Sequence, residues 1–167
     1  MRIFYDIIFD DQMFSDAFPM TEVDNIVYEV DCKFIPIKLD ADVDIGAHPS
    51  TEEQDEEQQE TRNVIDVAHS FSLQLIPFDK RTYSMHLGKY MKAIGSYLQE
   101  TDPDWVQEFE EKSKVYAKKI LDNPSSSEFY VGTSGNSDSM IALLNYCEDG
   151  VTPFFTFWKD GLRAVDC

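Results

Sequence analysis

Few residues in this chain have the type and spacing that catalysis or tight metal binding requires. The three histidines, His48, His69 and His86, have no i, i+4 partner of the zinc-binding kind. Gly132-Thr133-Ser134-Gly135 is rich in small residues but lacks the lysine and the following helix of a phosphate cradle. Ser15-Asp16 reads as turn chemistry rather than as two members of a nucleophilic triad. Cys32, Cys147 and Cys167 are odd in number and form no C-x-x-C, which argues against a disulfide framework or a thiolate zinc site and fits a reducing compartment. Cys32 and Cys147 are expected as small core fillers, and Cys167 as an exposed thiol that permits a redox-dependent dimer of an otherwise monomeric protein. Asp40, Asp42 and Asp44 alternate as at the start of a calcium loop, but Gly46 arrives one residue late and no helices flank it. Calcium binding, there or at Glu52, Glu53, Asp55 and Glu56, is therefore expected to be weak, with no tight metal and no cofactor.

Charge narrows the partners. Of 167 residues, 43% are hydrophobic and 13% aromatic, enough for one domain with a real core, and the net charge is -18. Residues 80–119 hold eight of the fourteen Lys and Arg against six acids, a local +2 that leaves -20 elsewhere. A direct nucleic-acid partner is disfavoured, because phosphate binding needs a basic surface, and a basic partner or an acidic protein lattice is favoured. No apolar run approaches the ~18 residues of a membrane span, and residues 1–13 carry acids where a signal peptide is basic and then apolar. The sequence reads as cytoplasmic.

The elements follow from periodicity. Residues 3–9 are too continuously apolar for a one-sided strand and are expected in the middle of a sheet. Residues 10–19 read as a loop whose Met13, Phe14 and Phe18 either fold back as core or form a contact surface. Strands are expected at 25–31 and 33–39. From 40 to 61 there are nine acids and no Lys or Arg, so residues 40–62 read as a mobile acidic loop. Val67, His69, Phe71, Leu73 and Leu75 then alternate with small or polar residues, predicting a strand with His69 on its apolar face. Strands follow at 128–132, 140–146 and 154–159. Glu148-Asp149-Gly150 marks one hairpin, and Asp160-Gly161 marks another that returns the chain for 162–165.

Between these strands, residues 78–122 form the one helical insertion. Asp79 is placed as N-cap and Phe78 to staple onto Tyr83. Tyr83, Leu87, Tyr90, Met91, Ile94, Tyr97 and Leu98 fall within roughly 120° at 3.6 residues per turn, one apolar stripe. Asp102 and Pro103 start a second helix that buries Trp105, Val106, Phe109, Tyr116, Ala117 and Ile120. Arg81, Lys89, Lys92, Lys112 and Lys119 lie opposite these stripes and form an outward cationic face. The whole predicts one α+β domain over residues 1–167, with antiparallel or mixed sheets and no internal repeat.

The words around Gly46-Ala47-His48-Pro49-Ser50 and around Glu128-Phe129-Tyr130-Val131-Gly132 resemble the signatures of the translationally controlled tumour protein family. Asp44-Ile45-Gly46-Ala47-His48-Pro49-Ser50-Thr51-Glu52 is similar to its first signature, with Gly46, Ala47, His48, Pro49 and Ser50 at its centre. Glu128-Phe129-Tyr130-Val131-Gly132, continuing through residues 140–146, is similar to the second. Met13-Phe14-Ser15-Asp16, residues 148–153 and Trp158-Lys159-Asp160-Gly161 keep the family's order. The resemblance implies a β-tent with a projecting helical hairpin and a disordered acidic loop. It also implies a non-enzymatic cytoplasmic protein, partly cytoskeleton-associated, that works with the translation machinery, elongation factors and microtubules. Weak calcium binding and a stress-protective role come with it. Gln12, Met13, Phe14 and Asp16 would form the contact to a Ras-like GTPase; Gln12 stands where many relatives carry glutamate. His48, Thr133 and Cys147 likewise replace asparagine, glutamate and arginine. Two enzymatic alternatives stand beside this reading: exchange on that GTPase, and thiol redox chemistry by analogy with methionine sulfoxide reductases, which share the scaffold and need an activated, accessible thiolate.

Overall fold

The computed structural model describes residues 1–38, 61–123 and 127–166. The first strand, β1 (Arg2–Asp6), is the centre of a three-stranded sheet, flanked by β2 (Gln12–Ser15) and β11 (Leu162–Asp166). The central placement expected of residues 3–9 is met, although the strand ends at Asp6. Gln12 to Ser15 form a strand rather than the expected loop, pairing Phe4 with Phe14 across a bulge between Phe4 and Tyr5.

A second sheet has six antiparallel strands in the order β3 (Met20–Val23), β4 (Val27–Asp31), β10 (Pro153–Trp158), β9 (Ala142–Tyr146), β8 (Glu128–Val131) and β7 (Gln74–Ile76). A separate ribbon pairs β5 (Phe34–Lys38) with β6 (Thr61–Ile65), so that Thr61 and Arg62, the last two residues of the expected 40–62 loop, belong to a strand. Alternation along β10 decides what each face of the large sheet meets. Phe155 and Phe157 point towards the small sheet, where Phe14 stacks on Phe157 at 4.4 Å and on Phe4 at 4.5 Å. Thr156 and Trp158 point the other way, towards the helices.

Those helices are α2 (Lys80–Thr101) and α3 (Val106–Asp122), joined by a 3-10 turn, Pro103–Trp105. Asp79 caps α2, its carboxylate accepting from Thr82 N at 2.7 Å. Five of the seven stripe residues, Tyr83, Leu87, Tyr90, Ile94 and Leu98, are buried, each such side chain worth about 2 kcal/mol of transfer free energy; Tyr97 is exposed. Phe78 packs on His86 and Phe129 rather than directly on Tyr83, with Phe129 touching Tyr83 at 5.1 Å. Asp102 makes no side-chain cap; its carbonyl accepts from Trp105 N instead. Three aromatic tips tie the hairpin to the sheet: Trp158 Nε1 donates to Tyr83 Oη at 3.1 Å, Trp105 Nε1 to Asp160 Oδ2 at 2.9 Å, and Tyr116 Oη to Glu29 Oε2 at 3.4 Å.

Two further expectations are corrected. Residues 66–71 form a short helix, α1 (Asp66–Phe71), not a strand. The buried Asp66 carboxylate accepts from Val67 N at 2.8 Å and Lys33 N at 3.1 Å, and left-handed Ser72 closes the turn. Hydrogen bonding at both ends thus overrides a period-two pattern, and His69 is exposed rather than on an apolar face. At Asp160-Gly161 the chain makes a 3-10 turn, Lys159–Gly161, that carries it from the large sheet to the small one. There β11 pairs with β1, Asp6 opposite Leu162, and not with β10.

Candidate interaction surfaces

Arg81, Lys89, Lys92, Lys112 and Lys119, five of the hairpin's cations, do not act as one free face. Lys112 pairs with Glu108 at 3.8 Å and lies over the Trp105 ring. Lys119 pairs with Asp24 at 3.6 Å and lies over Tyr116. Arg81, Lys89 and Lys92 are exposed, and among the described residues Lys89 and Lys92 have no ion-pair or hydrogen-bond partner. Lys92 also borders a groove of about 660 Å³ between α2 and α3, floored by Leu87, Met91, Val106 and Phe109. Gly88 and Gly95 open this groove, since a Cβ at either would meet nothing within 4 Å. The seven-residue spacing of these two glycines on α2 was the signal for it in the sequence.

The contact expected around residue 12 is rearranged. Met13 and Phe14 are 0% exposed and belong to the core, so they offer a partner no surface. The exposed apolar residues are Ile8 at 37% and Phe9 at 40%, in the turn before β2. That turn is built on Asp6, fully buried, whose carboxylate oxygens accept from Ile8 N at 3.2 Å and Phe9 N at 3.1 Å. Asp10 adopts a left-handed φ of 60° and holds Arg163 at 2.9 Å, and the Arg163 guanidinium lies 4.7 Å over the Tyr5 ring. Gln12 is exposed and donates to Tyr5 Oη at 3.2 Å; Asp16 is exposed and accepts from Arg2 N at 3.0 Å. The missed signal was a lone acid, Asp6, inside the apolar run 3–9.

The thiols differ from expectation in one respect. Cys32 is buried, its Sγ donating to Val30 O, and burial together with Asp66 pushes its thiol up to about 12. Cys147 is exposed, not core. Its thiol is also raised, by desolvation and by the carboxylates of Asp149, Asp31, Glu29 and Glu148. Neither is the activated thiolate that redox catalysis requires. Cys167, the signature residues Gly46, Ala47, His48, Pro49 and Ser50, and the calcium candidates Glu52, Glu53, Asp55 and Glu56 lie outside the described residues. Among the described residues no group of three or more His, Cys, Asp or Glu could hold a metal ion, and no helix is long and apolar enough to cross a membrane.

The model of the family described as translationally controlled tumour protein matches residues 1–163. The chain belongs to this family. It is 49% identical to the translationally-controlled tumor protein homolog of Yarrowia lipolytica over 164 residues, covering 98% of each chain. Identity is 45% to the Schizosaccharomyces pombe homolog over 163 residues, 97% of each. The solved structure of the S. pombe translationally controlled tumor-associated protein p23fyp superposes with a TM-score of 0.85, covering both chains in full at 43% identity. The two antiparallel sheets and helical hairpin are thus the β-tent of translationally controlled tumour proteins.

Proposed function

We propose that the protein acts in the cytoplasm by binding other proteins, on microtubules and in the translation machinery with its elongation factors, rather than by catalysis. The observation that carries this reading is the pair Lys89 and Lys92, exposed and unengaged among the described residues of a chain whose net charge is -18. A strongly acidic partner such as the tubulin lattice is repelled by most of this molecule, so contact needs a local positive face. Family membership supports the same reading. Weak calcium binding and a stress-protective role, as the family resemblance implies, belong to the same proposal, the first to be read by calorimetry. A redox-dependent dimer through Cys167 belongs to it too, to be read by non-reducing electrophoresis.

Changing Lys89 and Lys92 together to glutamate is expected to lower co-sedimentation with microtubules about tenfold at low ionic strength, because each solvent-exposed charge pair is worth up to about 1 kcal/mol and both change from attraction to repulsion. Circular dichroism should not change, since both side chains are exposed. Pelleting at the wild-type level would move the contact off α2, with the Ile8 and Phe9 turn the next surface to test.

A role with a Ras-like GTPase belongs to the proposal through exposed Gln12. If exchange uses a carboxylate at this position, Gln12→Glu adds a charge-assisted hydrogen bond of about 1.5 kcal/mol, about tenfold in rate. An unchanged exchange rate would remove the GTPase from the proposal.

A further inference from the structure

A second cleft, of about 730 Å³, lies where the end of α3 meets the helix-facing side of β3, β4, β10 and β9. The cross-strand row beneath the helices reads Phe129, Leu143, Thr156, Glu29. It is apolar under α2 and reaches a carboxylate under α3, before Thr21 on the edge strand. Glu29 is half-buried, and the only hydrogen bond of its carboxylate among the described residues is the long one from Tyr116 Oη, 3.4 Å. A carboxylate has about four acceptor sites, so most of its capacity is open. Tyr116, Tyr146 and Phe154 supply aromatic walls, and Glu148 adds a second acid. Asp31, opposite the lining residue Phe154 across β4 and β10, and Asp149, between the lining residues Glu148 and Gly150, border the same region. The one cation in the lining among the described residues, Lys119, is spent on Asp24 and lies 5.9 Å over the Tyr116 ring.

This chemistry recognises an organic cation. The acids are not clustered as metal ligands among the described residues. A planar guanidinium meets both features at once, bonding a carboxylate through two parallel N–H donors while its face lies on an aromatic ring. Lys119 over Tyr116 displays half of that recognition within the molecule itself. The further acids beside Cys147 match a ligand carrying more than one positive charge.

We propose that this cleft binds an arginine of a basic peptide segment in a partner protein, Glu29 taking the guanidinium and Tyr116 stacking on it. The surface is separate from the α2 lysines and selects partners of the opposite charge. One molecule could thereby hold an acidic partner on its hairpin and a basic one at the end of α3.

The test uses the full chain and a fluorescent glycine-spaced triarginine peptide, with the trilysine version beside it, followed by anisotropy at low and physiological salt. Binding of the arginine peptide should exceed that of the lysine peptide. Glu29→Gln should weaken it about tenfold, while Glu100→Gln, which removes an exposed acid on α2, should leave it unchanged. Lys119→Ala should tighten binding several-fold by freeing the Tyr116 face. In the wild type, bound peptide should slow alkylation of Cys147, identified by peptide mapping, a readout that needs no variant. Equal binding to wild type, Glu29→Gln and Glu100→Gln would mean only general attraction to an acidic chain and would overturn the proposal, as would absence of binding or an unprotected Cys147.

Discussion

Gly161→Ala is expected to destabilise the protein by about 2–4 kcal/mol, through forced overpacking rather than lost contacts. A Cβ on Gly161 would strike Tyr90 Oη directly and stand 3.0 Å from its Cζ and 2.7 Å from Met140 Cε. Neither side can retreat easily. The Gly161 carbonyl accepts from Ile7 N at 2.9 Å, and Tyr90 is buried on α2 with its ring 5.4 Å from His86. For a chain of this size the loss corresponds to roughly 10 °C in Tm. Tyr90 Oη also has no hydrogen-bond partner among the described residues, so Tyr90→Phe alone should be neutral or stabilising by up to about 1 kcal/mol. In the double variant the hydroxyl is gone and the closest remaining ring atom is the one at 3.0 Å, so at least half of the Gly161→Ala cost should be recovered. Denaturant melts of the four proteins decide this: costs that simply add would show that the hydroxyl is not what the methyl strikes.

The second large effect is a pH dependence lodged in Asp6. Burial raises this carboxyl from 3.8 to about 6, against the lowering effect of backbone N–H groups of Ile8, Phe9 and Met140, and Asp11 adds a smaller upward push. A group whose pKa is higher in the folded than in the unfolded chain adds stability that is complete below the unfolded value and is lost as pH rises through the folded one. The full loss is about 3 kcal/mol, roughly half of it between pH 5 and 7.5, a window that stays above the pI near 4.3. Repulsion among the other acids has the same sign, so the wild type alone does not isolate Asp6. The difference between wild type and Asp6→Asn does. The amide keeps one acceptor and turns an NH2 towards the second backbone donor, so the variant should be less stable at pH 5 by about 1–2 kcal/mol, a gap that closes by pH 7.5. A gap independent of pH would mean that Asp6 titrates normally.

What could be read from the sequence was set by local physics. The α2 stripe and its Asp79 cap were legible because a 22-residue amphipathic helix repeats its signal many times. Four of the second sheet's strands, β4, β8, β9 and β10, carried Ile, Val, Phe and Tyr in short runs and were found nearly in place, whereas β3, with Thr21 and Glu22 exposed, gave no such run. The β1–β2 pairing was not visible, because its turn uses Asp10 at positive φ instead of a glycine and hides its organising carboxylate inside an apolar run. Residues 66–71 alternated like a strand, yet the helix there depends on Lys33, more than thirty positions earlier. The two sites divide in the same way. Exposure of Lys89 and Lys92 follows from helix phase, whereas Glu29, Tyr116 and Asn145 meet in a cleft only because β4, α3 and β9 are neighbours in the fold.

The pairing of β1 with β11 bears on the order in which the molecule assembles. Arg2 lies opposite Asp166, the widest separation in sequence of any strand pair among the described residues. The entropy of closing a loop rises with its length, so this is the costliest ladder to form before other contacts have shortened it. Until it forms, β1 can be held by β2 on one side only, and its other edge offers unpaired N–H and C=O groups to any neighbouring chain. Slow refolding at high concentration would then be lost to association through that open edge, at a stage when most of the larger sheet and both long helices have already been made.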